Sequence, residues 1–464
     1  MQIAKDTILE VNIDKSAFGG KGIAKIDGFT IFVENGIPQD RVRIVIKRKK
    51  KNFAEAKIVK MLEPSPFRVA SKCEHFEYCG GCDWLSLKYE KQLEYKQNHL
   101  KETIEHIGGI KGVAVKPIIP SDKILGYRNK MIFGCVANPY LPLSETETFD
   151  NDFAVGLHVK GAPDKIFDIK SCLLMNNTGS LILEDIKKFI KEAEYKVYNK
   201  SARSGFWHSI MLRYSFEYDN WMVNIITVFK QTEAVKPLAD ILTSKYSEVA
   251  SVINNITDIK KPSYVGKYEI ILAGTPILKE KILGFDFKIS ANSFFQTNPL
   301  CAESLYKTVI NYANLKNNEK VIDLYSGAGA IAIIAAASAK EVVGVEIAKS
   351  AVKDAEDNCR INGIDNCRFI YGDIKDNLSK IPFTPDVMII DPPRSGIARD
   401  VLKQIMKNPP KKIVYVSCNP ASLARDFKLL KDSYNIIEVQ PVDMFPNTYH
   451  IESATLLEFG GITL

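Results

Sequence analysis

The sequence predicts an α/β chain in three parts: an N-terminal OB-type β-barrel, a mainly β central region and a C-terminal Rossmann-like, doubly wound parallel sheet. Three observations carry the prediction. Short β-branched runs crowd the first 60 residues, strand-like runs dominate residues 116–288, and apolar strands alternate with helical stretches from Lys320 onward. At 464 residues the chain exceeds one typical domain, and its 46% hydrophobic content excludes a wholly disordered polymer.

In the first part, runs at 7–13, 22–25, 30–33, 41–47 and 53–61 are separated by Gly19-Gly20, Asp27-Gly28 and Asn35-Gly36. Such turns suit hairpins, and five short strands suit a small closed barrel, a common nucleic-acid platform. The formal net charge is +7, and residues 1–60 supply +6 of it through 13 Lys/Arg against 7 Asp/Glu. Five basic residues run together as Lys47-Arg48-Lys49-Lys50-Lys51. A basic module on a nearly neutral body predicts a polyanionic partner, most simply a nucleic acid; the alternative is a solvated lysine-rich face.

Pro64-Ser65-Pro66 marks a boundary. Residues 83–110 read as helical, with Leu93, Leu100, Ile104 and Ile107 on one face. Strand-like runs follow at 130–136, 153–159, 209–214 and 222–228, with a helix over 179–193. Gly126-Tyr127-Arg128-Asn129-Lys130 has a basic-aromatic character suited to RNA, or else begins a buried strand. The resulting division is 1–62 for the barrel, 63–82 with 116–288 for the central unit, and 83–115 with 289–464 for the C-terminal unit.

Residues 321–325 read as a buried strand running into Ser326-Gly327-Ala328-Gly329 and a helix over 330–339. Glycines at this turn let a ligand approach the backbone near the positive end of the helix. The next strand ends in Glu346, about 20 residues downstream, where a carboxylate grips ribose hydroxyls. Gly327, Gly329 and Ala332 also satisfy a dinucleotide pattern, so this much leaves NAD open. Later strand ends discriminate. Strand 386–390 ends in Asp391-Pro392-Pro393-Arg394 and strand 413–416 in Ser417-Cys418-Asn419-Pro420. Ligands bind outside the carboxyl ends of such strands, so Glu346, Asp391 and Cys418 converge on one rim. An acidic-Pro-Pro turn there suits an S-adenosylmethionine enzyme and serves no purpose in a dehydrogenase. Taken alone, Asp391 would be a turn former before two prolines.

Cys135, Cys301, Cys359 and Cys367 read as small buried hydrophobes. Cys418 differs by position. It sits where strand passes to loop, with Arg425 close in sequence, which predicts a substrate-facing thiol shifted toward thiolate. A pyrimidine suits that chemistry. Carbon 5 of uracil is too weak a nucleophile to attack a methyl sulfonium, but thiolate addition at carbon 6 gives an enolate that can. A base must then remove the carbon 5 proton, and Glu452 or His450 could serve. Phe294, Phe295 and Tyr325 offer stacking surfaces for a flipped base.

Cys73-x5-Cys79-x2-Cys82, with Cys172 as the natural fourth ligand, fits a structural zinc or an iron–sulfur cluster. The x5 spacing tilts against a zinc ribbon. Without an apolar leader or a run of about 18 apolar residues, a cytoplasmic chain with no membrane association is expected. Nine cysteines in such a chain argue against a disulfide framework.

Five ordered motifs carry a resemblance over nearly the whole chain: Ser293-Phe294-Phe295-Gln296-Thr297-Asn298, Asp323-Leu324-Tyr325-Ser326-Gly327, Asp391-Pro392-Pro393-Arg394, Tyr415-Val416-Ser417-Cys418-Asn419-Pro420, and Asp443-Met444-Phe445-Pro446 through Glu452. The sequence resembles the RNA 5-methyluridine methyltransferase family, specifically the 23S ribosomal RNA (uracil-5-)-methyltransferases with an N-terminal TRAM barrel. The resemblance implies Gln296, Tyr325, Glu346 and Asp391 as S-adenosylmethionine contacts. It implies Cys418 as nucleophile, Glu452 as base and Phe294 beside the flipped uracil. A [4Fe-4S] cluster on Cys73, Cys79, Cys82 and Cys172 is implied too, with 23S rRNA as substrate; a monomer is expected. Ser326 stands where the family often has Cys, and Asn447 where it often has His; neither position is expected to carry the chemistry. The alternatives are a tRNA uracil-5 or RNA cytosine-5 methyltransferase, or a non-catalytic RNA-binding iron–sulfur protein. No cysteine follows Asp391 in its turn, which disfavours the cytosine reading, and the last alternative leaves Cys418 and the cofactor residues unexplained.

Overall fold

A computed structural model describes residues 3–142 and 152–461. The N-terminal strands Ile8–Asn12, Lys15–Ser16, Gly22–Ile26, Phe29–Glu34, Arg41–Lys49 and Phe53–Glu63 form one six-stranded sheet. Their alternation puts Leu9, Val11, Ile31, Val33, Val42, Ile44 and Ile46 into a common core. Lys47 through Lys51 are all exposed. Asp40 is fully buried and takes a two-pronged bond from Arg68 (2.7 and 2.6 Å), which ties this sheet to the segment after it.

The central sheet has seven strands in the order Ala162–Asp168, Ala154–Val159, Lys130–Val136, Trp207–Ser215, Asn220–Thr227, Val249–Ile256, Tyr268–Gly274. Helices Asn177–Glu192 and Thr232–Lys245 contribute Ile182, Ile186, Val235 and Leu238 to its core. The second helix was not expected. It holds Pro237 in its second turn, which reads as a breaker, and only burial of its apolar face sustains it.

The C-terminal sheet runs Cys367–Tyr371, Glu341–Glu346, Lys320–Leu324, Val387–Ile390, Lys412–Ser417, Glu452–Phe459, Tyr434–Val442, Ala114–Val115. Its first five strands are parallel, as the alternating pattern predicts. Glu452–Phe459 departs from that pattern by pairing antiparallel with Lys412–Ser417, Ser417 opposite Ser453. Sequence did not show this, because strands buried on both faces read as apolar runs whatever their direction.

Helix Tyr89–His106 packs against helix Pro420–Leu430 and sends Leu100 and Ile104 into the C-terminal core. The apolar face drawn from sequence is incomplete: Ile107 is half exposed, whereas Gln92, Lys96 and His99 are buried. Those three polar groups point at other segments rather than at solvent. No helix among the described residues is long and apolar enough to cross a membrane.

Candidate active site

At the end of strand Lys320–Leu324 the chain turns sharply. Tyr325 adopts a left-handed φ of 64°, and Gly329 one of 84°. The Tyr325 and Ser326 N–H groups both donate to the Val345 carbonyl (3.0 and 3.2 Å), folding the turn over the neighbouring strand. A Cβ on Gly329 would lie 2.7 Å from the Phe369 ring, so only glycine lets the turn close. The Glu346 carboxylate accepts from the N–H groups of Gly327 (2.9 Å) and Ala348 (2.8 Å) and so belongs to the same turn.

Phe294, Gln296, Asp323, Tyr325, Gly327 and Asp391 line one cavity above this turn. Five of the sequence-predicted cofactor or substrate residues, Phe294, Phe295, Gln296, Tyr325 and Asp391, thus meet there, and Glu346 reaches it through Gly327. Asp323 was not singled out as a site residue. It is buried, neither carboxylate oxygen has a well-formed hydrogen bond, and burial with the Asp391 charge holds its carboxyl well above the usual range. Burial also pushes Asp391 up to about 6. Two uncompensated carboxyls make this cavity a place for a cation. Phe294 is 64% exposed at the cavity mouth, whereas Phe295 is 4% exposed and packs on Phe287. Phe295 lines the cavity wall as well, with little of its ring accessible.

The antiparallel strand decides the rest. Cys418 follows the end of Lys412–Ser417, and Glu452 begins the strand paired to it, so the two sit at adjacent strand ends, close enough for the Glu452 charge to act on the thiol. Asn419 caps helix Pro420–Leu430 by accepting from the Ala421 N–H (3.0 Å), and its amide donates to the Arg394 carbonyl (3.0 Å). The Asp391-Pro392-Pro393-Arg394 turn is thereby fastened to the cysteine turn.

Electrostatics correct one expectation. The Cys418 thiol is not shifted toward thiolate: burial, then the charges of Glu452 and Asp391, push it up to about 11. Arg394 is the cation that opposes this shift. Arg425, expected to activate the thiol, spends its guanidinium on Asp426 (2.8 and 2.6 Å) and the Ile397 carbonyl (3.3 Å). Burial and Asp391 hold Glu452 well above the carboxylate range, with Arg394 again opposing. His450 goes the other way: burial and the Arg394 charge push it down to about 3.

The loop between strands Tyr434–Val442 and Glu452–Phe459 is held from outside. Lys96 donates to Asp443 and to the Phe445 carbonyl (2.9 Å), and Tyr89 donates to the other Asp443 oxygen (2.8 Å). The Asn447 N–H donates to Gln92 (2.8 Å), its amide to the Ile124 carbonyl (2.7 Å), and its own carbonyl accepts from Asp83 and Trp84 (both 3.0 Å). Tyr127 is fully buried and donates to the Pro446 carbonyl (3.0 Å), which decides for the buried-strand reading at that position.

A family model described as tRNA (Uracil-5-)-methyltransferase matches residues 277–381 and 376–459. An uncharacterized RNA methyltransferase of Chlorobaculum tepidum is 36% identical, covering 98% of this chain and 97% of its own. The chain belongs to the RNA (uracil-5-)-methyltransferase family. A TRAM domain matches residues 6–59 of this methyltransferase, on the six-stranded sheet. An uncharacterized RNA methyltransferase of Bacteroides thetaiotaomicron is 38% identical over 95% of the chain and 99% of its own. The crystal structure of the Pyrococcus abyssi tRNA (uracil-54, C5)-methyltransferase in complex with S-adenosyl-L-homocysteine superposes with a TM-score of 0.75. It is 28% identical and covers 97% of this chain and all of its own.

In the methyltransferase the four predicted metal cysteines line a separate cavity. Cys73, Cys79, Cys82 and Cys172 face it together with Arg128 and Leu157, and all four are free thiols. Burial raises each of them; the Cys79 thiol also feels the charges of Cys172 and Cys73, and the Cys82 thiol those of Cys172, Cys79 and Cys73. Among the described residues no set of three or more His, Cys, Asp or Glu is arranged to hold a metal ion. The fold supplies a shared cavity rather than a converged ligand set. Four soft thiol donors in an apolar pocket, with Arg128 beside them, suit an anionic metal–sulfur group.

Proposed function

We propose that this methyltransferase methylates carbon 5 of a uracil in 23S ribosomal RNA, using Cys418 as nucleophile and Glu452 as base. The observation that carries the reading is the pairing that sets Cys418 and Glu452 on adjacent strand ends, beside Asp391 in the wall of the cofactor cavity. Gln296, Tyr325, Glu346 and Asp391 would hold S-adenosylmethionine, whose positive charge suits the uncompensated Asp323 and Asp391 carboxyls. When bound, it supplies an electrophilic methyl group.

A base inside a helix cannot reach a strand-end thiol, so the target uracil enters unstacked, with the exposed Phe294 ring at the cavity mouth. Cys418 loses its proton to solvent, and its sulfur bonds carbon 6, placing negative charge on the carbon 5 enolate. Carbon 5 would then take the methyl group as the methyl–sulfonium bond breaks, its electron pair staying on that sulfur to leave a neutral thioether. The Glu452 carboxylate then removes the carbon 5 proton, the sulfur–carbon 6 bond breaks, and the 5,6 double bond returns with the thiolate. Glu452 suits this role better than His450, because a group pushed down to about 3 is too weak a base. Arg394 stabilises the anionic form of both Cys418 and Glu452.

Cys418→Ala should abolish methyl transfer while S-adenosylmethionine still binds; full activity in that variant would remove covalent catalysis. Glu452→Gln should accumulate an RNA–protein adduct on a denaturing gel. The ribosomal reading rests on the family resemblance of the five motifs; the barrel does not carry it, because the Pyrococcus abyssi tRNA enzyme covers 97% of this chain. Transfer RNA is the second reading, favoured by the likeness to the Pyrococcus abyssi enzyme. Mapping 5-methyluridine in both RNAs from a strain lacking the protein separates them: loss from ribosomal RNA supports the first, loss from transfer RNA the second.

Cys73, Cys79, Cys82 and Cys172 would hold a [4Fe-4S] cluster, which would tie distant chain segments together for folding or RNA docking. Anaerobic purification with iron, sulfide and zinc analysis tests this, and stoichiometric zinc without iron overturns it. The same proposal takes 1–62, 63–82 with 116–288, and 83–115 with 289–464 as the three units of a cytoplasmic monomer.

A further inference from the structure

A cavity more spacious than the one above the glycine turn lies elsewhere in the chain. It has a volume of about 520 Å³ and lies against the central seven-stranded sheet. Its floor is a row across four neighbouring strands: Ile166, His158, Gly134 and His208. Gly134 keeps the floor open, because a Cβ there would collide with the Ile166 side chain. The opposite side of the same sheet, through Leu157, faces the cysteine cavity.

Tyr198 and Tyr264 wall the space. Both rings are tilted against His208, at centroid distances of 5.7 and 5.8 Å. The Tyr198 hydroxyl donates to the Ile259 carbonyl (3.1 Å), which binds the two loops to each other. Tyr264 is exposed at the entrance, 3.4 Å from His158 Nε2 through its hydroxyl. Burial pushes His208 down to about 4, so its ring is neutral at pH 7. Lys200, exposed on the Tyr198 loop, pairs with Asp164 at the cavity edge (3.2 Å), while Lys260 and Lys261 are exposed just ahead of Tyr264. Aromatic walls with two lysines beside the entrance are an arrangement that holds one unpaired base while the backbone stays outside. The volume suits a nucleoside and falls within the range of ordinary small-ligand sites.

We propose that this cavity binds an unpaired nucleobase of the substrate RNA, as a second base site apart from the target uracil. The proposal rests on the chain acting on RNA and not on the Cys418 mechanism. The site would fix the strand at a distance from the reacting base and so select RNAs with a second unstacked nucleotide.

The test uses the full-length protein and a single-stranded oligouridylate carrying 4-thiouridine. Ultraviolet cross-linking should label the tryptic peptide 261–267, which contains Tyr264. Tyr264→Ala should lose that cross-link and weaken oligonucleotide binding about tenfold, the scale of one lost stacking platform. Tyr264→Phe should stay within about twofold of the parent, and neither variant should change S-adenosylmethionine affinity. Cross-links confined to the barrel or the Cys418 rim, or unchanged affinity in Tyr264→Ala, overturn the proposal. Displacement by free uridine monophosphate but not by the oligonucleotide overturns its RNA source. Adduct formation at Cys418 is read separately, so failure of the cavity and failure of the catalytic reading remain distinct.

Discussion

Removing the charge of Lys96 should loosen the loop that delivers Glu452. Lys96 and Asp443 are both fully buried, and the lysine also donates to the Phe445 carbonyl. Lys96→Met keeps the stem but leaves Asp443 without its cation. Breaking one side of a buried pair costs about 3–5 kcal/mol, because the remaining charge stays in a poorly polarisable surround. Tyr89 still donates to Asp443 at 2.8 Å, which places the expectation at the lower end of that range. At about 1.36 kcal/mol per tenfold, local opening should become roughly a hundred- to a thousandfold more frequent. The Asp443 N–H, which donates to the Ile119 carbonyl, and the Asn447 N–H, which donates to Gln92, are the reporters. Hydrogen exchange by mass spectrometry on a peptide spanning 443–450 should show that acceleration, with unchanged exchange in the six-stranded barrel. A second change, Asp443→Leu in the Lys96→Met background, should recover much of the protection, since apolar pairs replace buried ion pairs well. Exchange in Lys96→Met within about threefold of the parent would refute the argument that this pair holds the loop.

Methyl transfer should rise with pH through the neutral range. Cys418 is raised to about 11 and Glu452 lies well above its ordinary value, so the active anions are lost as pH falls; a flat profile from about pH 6 to 9 contradicts this. Replacing Lys47, Lys49 and Lys51 by Gln should lower the slope of log affinity against log salt by about 2–3, and an unchanged slope returns them to a solvated face. Gly396→Ala should destabilise the Arg394 turn by about 1–3 kcal/mol. Gly396 has φ 76°, and its new Cβ would sit 2.6 Å from Asp426 Oδ2. A thermal midpoint equal to the parent's contradicts that assignment.

Much of this molecule was legible in one dimension because its signals are local. The hairpin turns of the barrel, the glycine turn after Leu324 and the acidic strand ends depend on a few consecutive residues and on the rule that ligands gather at carboxyl ends of strands. That rule places Glu346 and Asp391 on one rim, whereas Gln296 and Tyr325 as cofactor contacts come from the family resemblance; Gln296, Tyr325 and Asp391 do line one cavity. Arg425 departs from expectation for the opposite reason. Nearness in sequence to Cys418 does not say where a side chain points, and Asp426 claims the guanidinium instead.

Composition and spacing by themselves determined the class of chemistry: a thiol and carboxylates on the rim of a nucleotide-type sheet, with a basic barrel in front. Only tertiary structure decided how that chemistry is assembled. The antiparallel insertion of Glu452–Phe459 brings the Glu452 carboxyl near Cys418, and Arg394 is the cation whose charge acts on both. The polar face of helix Tyr89–His106 grips the 443–450 loop from some 350 residues away in sequence, as Gln92 does with Asn447. Strand direction, ion pairing and polar burial are long-range properties. Each depends on which distant segment arrives to exclude water, and no window of consecutive residues contains that partner.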